Sequence, residues 1–239
     1  MIIGNRGAKG NIMENTLESI LYAIDLGVDG IQIDIQQCYT GEIILFHDET
    51  LDRLAFKDDN FFANVGGKRI NKLDWYDLYY TEIIDSLGRK YRIPKLIDIL
   101  IHPKVCNSDI LIVINVNECY QDLTALLGDL IDEGIYDANR FLLISKNIKT
   151  IDYLNEFKFE NLKNCEKLKI GQIVSEEDIG KENFLNELKT RLKVLTHLIL
   201  ESSLSFDYSN LNLKIFVWSN EMKEYDGVIV DKPGTFLTE

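Results

Sequence analysis

Eight apolar runs recur along the chain at 1–6, 30–35, 110–117, 140–145, 168–174, 197–201, 213–219 and 227–231. Stretches of helical period separate most of them, and this alternation constrains the fold more than any other feature. The runs are rich in Ile, Val and Leu, as suits parallel strands buried on both faces. Amphipathic segments at 17–26, 123–132 and 148–157 lie between runs, with Gly27 and Gly134 placed as helix stops. Eight strands alternating with helices in 239 residues predict an α/β fold, a (β/α)8 TIM barrel. A doubly wound open sheet is the alternative.

One segment breaks the rhythm. The stretch EIILFHD at 42–48 reads as a further strand, and only 38–41 or so separate it from the second run. A parallel crossover needs about a dozen residues, so the two strands must form an antiparallel hairpin with Thr40-Gly41 near its turn. The hairpin carries His47 out of the barrel wall and into the loop region. Residues 52–94 follow as a long excursion with few periodic signals, expected to be a small insertion over one barrel mouth. The links at 201–213 and 220–226 are short, so the last quarter is expected to be irregular. Residues 1–239 are expected to form one domain that includes the insertion.

The net charge of −13 argues against wrapping nucleic acid or lying on an anionic membrane. It leaves room for a small anionic ligand held by one or two local cations. No apolar run approaches the roughly 20 residues of a membrane span, and the N-terminus lacks a signal-peptide pattern. Cys38, Cys106, Cys119 and Cys165 form no CxxC pair, which speaks against zinc and for free thiols in a reducing, cytoplasmic setting.

Candidate chemistry gathers at strand ends. Asn5-Arg6-Gly7 follows the first strand, where catalytic groups usually sit in a barrel, yet an amide and a guanidinium exchange no proton near neutral pH. Gln32 and Asp34 are two apart, so both face one side, with Ile31, Ile33 and Ile35 on the helix-packed other. Two carboxylates at that spacing would clamp Mg²⁺ or Ca²⁺, but only one of the pair is acidic; a hydrogen-bonded polar layer is the competing reading. His47, beside Asp48, is either an acid/base or a structural hydrogen bonder. Asn115 and Asn117 share a face, and Trp218 either lines a pocket or packs. His102 ends a helical segment and His197 is read as core or rim.

Together these pieces resemble the glycerophosphodiester phosphodiesterase family. The sequence shows NRG, MENTLESI, IQIDIQ, TGEIILFHDETLDR, IPKL, INVN, FVWSN and DGVIVDKP in the family's order, most densely over 1–54. The resemblance implies a barrel holding one divalent cation on a Glu-x-Asp pair and a later Glu. It implies two His residues that split a phosphodiester into an alcohol and glycerol phosphate. The matches retained are Arg6, as a phosphate contact, with Glu14, Asp34 and His47. The departures fall at the centre: Asn5 stands for the first His, Gln32 for the first metal carboxylate, Asn117 for the later Glu, and Cys119 for a Lys beyond it.

Losing a positioned acid or base costs about 10²–10⁴ in rate, and one carboxylate among amides holds hard cations poorly. The expectation is a family-like protein binding a phosphate- or polyol-bearing ligand through Arg6, His47 and an amide-lined mouth, with metal-dependent hydrolysis lost or weakened. No cofactor is expected on that reading. One alternative is an active phosphodiesterase with a rebuilt site, using His47 and recruiting Asp34 with Glu14, Glu42 or Asp48 around Mg²⁺ or Ca²⁺. The other is a non-catalytic barrel that binds an unidentified protein partner through its surface or its insertion.

Overall fold

The structure, a computed structural model, describes residues 1–58, 64–118, 120–160, 168–180, 184–201, 211–219 and 225–237. Among them, eight parallel strands close into a barrel: β1 (Ile2–Asn5), β2 (Gly30–Gln37), β6 (Leu111–Val116), β7 (Phe141–Ser145), β8 (Lys169–Val174), β9 (His197–Leu200), β10 (Lys214–Trp218) and β11 (Gly227–Val230). Each pairs with its successor, and β1 pairs with both β11 and β2, so no sheet edge is left in the ring. At the seam Gly4 lies opposite Val230, and on the other side Asn5 lies opposite Gln32.

All eight expected strands are present and the open sheet is excluded. The irregularity expected of the last quarter falls on 202–210 and 220–224, outside the described residues. β9, β10 and β11 nevertheless keep parallel register with their neighbours.

Strand alternation divides the core. Ile3, Val113, Leu142, Ile144, Ile199 and Phe216 fill the barrel interior, while Ile31, Ile33, Ile35, Ile112 and Ile114 pack outward against helices. Each such side chain, taken fully out of water, contributes about 1.5–3 kcal/mol. At the base His197 is 3% exposed, bonded through Nδ1 to Thr196 Oγ1 at 2.7 Å and edge-on to Phe216. Burial, then the nearby charges of Lys169 and Lys214, push its pKa down to about 4, so it is a neutral core residue.

The first helix, α1 (Leu17–Asp25), starts where the Thr16 hydroxyl accepts from Ser19 N, and Gly27 ends it at φ +83°. His102 caps the helix Pro103–Cys106 by accepting from Lys104 N, a structural role.

The predicted hairpin forms: β3 (Ile43–Leu45) pairs antiparallel with β2, Ile35 opposite Leu45. Gly41 sits in its turn at φ +97°. The excursion after it is built of short elements, a helix at Trp75–Tyr80 and a hairpin of β4 (Glu82–Ile84) and β5 (Lys90–Arg92). A satellite core that includes Ile44, Phe46, Leu51, Ile70, Leu78 and Ile83 holds them to β3. The outer face of that helix leaves Tyr76, Tyr79 and Tyr80 exposed, their rings in tilted and edge-on contact. Among the described residues, no helix is long and apolar enough to cross a membrane.

Candidate functional site

The loop after β1 adopts a backbone that few residues tolerate. Arg6 lies at φ +49° and Gly7 at φ +83°. A Cβ on Gly7 would stand 2.6 Å from Ser19 Oγ and 2.7 Å from its backbone carbon, so glycine is required there. Ser19 Oγ accepts from Ala8 N and donates to Arg6 O, tying the loop to α1. The left-handed turn costs Arg6 about 1–3 kcal/mol and aims its N–H at Gln32 Oε1, 3.1 Å away. Asn15 is a second left-handed non-glycine residue, at φ +54°.

These strained positions converge on Asp34. Its Oδ1 accepts from Gln32 Nε2 and Asn115 Nδ2, each at 2.9 Å, and its Oδ2 accepts from Asn15 Nδ2 at 3.1 Å. Asn15 Oδ1 in turn takes the Asp34 backbone N–H. Arg6 Nε lies 2.9 Å from Oδ2, close enough for an ion pair though off line for a hydrogen bond. A carboxylate 3% exposed and met by three amides and a guanidinium has little lone-pair capacity left.

A second network stands beside the first. Glu14 receives Arg6 Nη1 and Arg53 Nη2, both at 2.6 Å, and Arg53 continues to Asp48. Asp48 Oδ1 lies 2.6 Å from His47 Nδ1, which leaves Nε2 as the free nitrogen. Burial alone would raise the Glu14 carboxyl, but the Arg53 hydrogen bond and the Arg6 charge outweigh it and hold it below the ordinary range. Asp48 is lowered in the same way, burial opposing and Arg53 and His47 prevailing. The same partners raise Arg53, so it stays charged.

Above the networks opens a cavity of about 480 Å³. Asn5, Arg6, Gln32, Asp34, His47, Asn115, Asn117 and Trp218 all line it, so eight of the residues singled out in the sequence meet there. Glu14 stands behind Arg6 rather than in the wall. Cys119 lies outside the described residues. A smaller cleft of about 70 Å³ shares His47 and Asn117 with the main cavity.

The opposite wall holds what sequence reasoning missed. Lys146, just past β7, reaches Glu201, just past β9, at 3.1 Å, with Ile173 of β8 between them. Both follow the last residue of a strand, a signal that marks barrel-mouth positions. On the β1 side Asp231, the strand-end acid of the DGVIVDKP stretch and so legible in the sequence, accepts from Asn5 Nδ2 at 2.7 Å.

The donor set does not suit a hard divalent cation. Gln32 has its amide oxygen on Arg6 N and its nitrogen on Asp34, so it turns no free oxygen toward a metal. Asp34 already accepts three N–H groups and faces the Arg6 guanidinium, and Asn117 brings no charge. Glu42, offered above as a recruit, is held at the hairpin by Thr40, Cys38 and Lys95. Among the described residues, no three His, Cys, Asp or Glu side chains come together as a metal site.

Comparison with known proteins agrees with the architecture. The model of the glycerophosphoryl diester phosphodiesterase family matches residues 6–235. A glycerophosphodiester phosphodiesterase of Caldanaerobacter subterraneus subsp. tengcongensis is 36% identical over 74 residues, 31% of this chain and 30% of that protein. One from Bacillus subtilis is 28% identical over 104 residues, 42% of this chain and 35% of that protein. The chain thus matches about a third of the length of these curated relatives. Among solved structures, an Oleispira antarctica phosphodiesterase in complex with the product sn-glycerol-3-phosphate superposes with a TM-score of 0.75 at 18% identity, covering 98% of this chain and 94% of that one. The Thermotoga maritima glycerophosphodiester phosphodiesterase gives 0.69 at 23% identity, over 99% and 96%. At such identities the likeness speaks for the fold.

Proposed function

The chain belongs to the glycerophosphoryl diester phosphodiesterase family, and on that footing we propose that its mouth binds a small phosphate- or polyol-bearing ligand without the metal-dependent hydrolysis the family resemblance implies. The observation that carries this reading is Asp34, whose oxygens are engaged by Gln32, Asn115, Asn15 and Arg6. A divalent ion would have to displace those donors to gain one anionic ligand, and ligand charge count sets much of the affinity. Without the ion no Lewis acid stabilises the charge that develops on phosphorus. Asn5 takes the position of a proton-transfer group and cannot move a proton near neutral pH. The cavity itself persists, polar and shaped, which is what binding needs.

Titration calorimetry with Mg²⁺ and with Ca²⁺, each at millimolar concentration, tests the reading. No binding heat is expected from either ion, and a chelator is expected to leave ligand affinity unchanged. Micromolar metal affinity would sink it.

An active enzyme with a rebuilt site draws on one observation. His47 is held by Asp48 through Nδ1, which leaves Nε2 for proton transfer beside the cavity. That rival requires turnover of a glycerophosphodiester that collapses in His47→Ala. A partner-protein role draws instead on the exposed Tyr76, Tyr79 and Tyr80 of the insertion, and a stable complex by light scattering would favour it.

A further inference from the structure

Resting on the reading that the mouth binds a phosphate- or polyol-bearing ligand, we propose that Lys146 is its specificity residue: the ammonium leaves Glu201 to hold the ligand's phosphate. The cations of the mouth differ in how free they are. Among the described residues, Arg6 and Lys146 are the Arg and Lys side chains that line the cavity. Arg6 is mostly buried and faces two carboxylates, Glu14 at 2.6 Å and Asp34 at 2.9 Å. Drawing it toward a ligand would leave buried negative charge uncompensated. Lys146 is exposed and faces Glu201 at 3.1 Å. An exposed pair of this kind gains little over water, so a ligand anion can take the ammonium over.

The backbone beneath that pair is fixed. Asn147, next to Lys146, donates its N–H to the buried Ser145 Oγ at 3.1 Å, and its Oδ1 accepts from Lys149 N at 3.0 Å. Glu201 donates its own N–H to Val174 O at 3.0 Å. Two side chains on held backbones thus meet across the end of β8. An ammonium is a point charge on a flexible stem with three donors, so it can trade a carboxylate oxygen for a phosphate oxygen while the barrel stays still. A phosphate monoester brings about −1.5 to −2 of charge at neutral pH, more than the single charge of Glu201. Glu201 therefore keeps the ammonium at the cavity and yields it to the stronger acceptor, its own carboxylate turning to water.

The full chain, in a buffer containing chelator, is titrated calorimetrically with sn-glycerol 3-phosphate, a glycerophosphodiester, inorganic phosphate and glycerol. At least one phosphate compound is expected to bind about tenfold or more tightly than glycerol, with an affinity that falls from about 50 to about 500 mM salt. The ester arms tell a terminal phosphate from a bridging one. Lys146→Met is expected to weaken that compound about tenfold and to flatten its salt dependence. Lys146→Arg keeps the charge and is expected to stay within about threefold of wild type. Glu201→Gln removes the competing charge and keeps the shape, so binding is expected to tighten about threefold. Should Lys146→Met not fold, Glu201→Gln carries the test. The inference is overturned, and the binding reading left standing, if Lys146→Met stays within about twofold of wild type, if Lys146→Arg loses as much as Lys146→Met, or if Glu201→Gln fails to tighten. Glycerol binding as tightly as the best phosphate compound does the same. If none of the four binds, the binding reading fails and the inference with it.

Discussion

The two walls of the mouth are built on opposite terms. On the β1–β2–β6 wall Asp34 is almost fully buried and shared among three amides and a guanidinium. On the β7–β9 wall the Lys146 and Glu201 side chains are 53% and 43% exposed and hold each other. The first wall has turned a carboxylate and its neighbours into scaffold. The second keeps charge in contact with water, where it can be rearranged at little cost.

Mutation should separate the walls sharply. Asp34→Ala leaves Arg6 and three amides facing an empty position, and loss of about 3–5 kcal/mol is expected by denaturant unfolding. A loss below about 1 kcal/mol would break the contrast.

Acid should come next. The strand that leads to Glu201 at the mouth carries His197 at the base, where folding holds its pKa at about 4 against an ordinary 6.5. Between those values the unfolded chain takes up a proton that the folded chain refuses. The His197 contribution, roughly 3 kcal/mol, is therefore whole above pH 6.5 and lost as pH falls toward 4. Glu14 adds a second loss lower down. Its folded pKa lies below 4.5, so its contribution is present above that value and disappears as pH falls through the lowered one. Stability of wild type and His197→Gln, followed by circular dichroism from about pH 8 to about pH 3, should run parallel above pH 6.5, diverge in slope between 6.5 and about 4, and run parallel again below that. Equal slopes throughout would remove His197 from the account.

The smallest effect is expected at the exposed wall. Glu201→Gln should shift unfolding by less than about 1 kcal/mol, and a larger loss would mean that this pair, too, is structural.

The locked wall was largely legible in the sequence and the loose one was not. Period-two alternation alone put Gln32 and Asp34 on one face, and a loop too short for a crossover alone turned β3 antiparallel. Lys146 and Glu201 belong to strands separated by β8, and their meeting depends on barrel curvature, which no local period encodes. Arg6, expected as a phosphate contact, lines the cavity and also lies against Glu14 and Asp34. Its left-handed φ belongs to a loop that Ser19 of α1 ties down, a tertiary arrangement no local period encodes. The insertion gave weak signals because its short elements are held by a shared satellite core and not by their own periodicity.

The closing contact between Asn5 and Asp231 joins residues 226 apart in sequence, and Gly10 N adds a bond to Asp231 O. The pocket is therefore sewn across the join between the first and last strands, and it comes into being only when β11 docks on β1. Any partly assembled barrel lacks it. A ligand held there favours the finished ring alone, by RT ln(1 + [L]/Kd), so that binding acts as a late fastener. Its departure and the loosening of the last strand become two faces of one equilibrium.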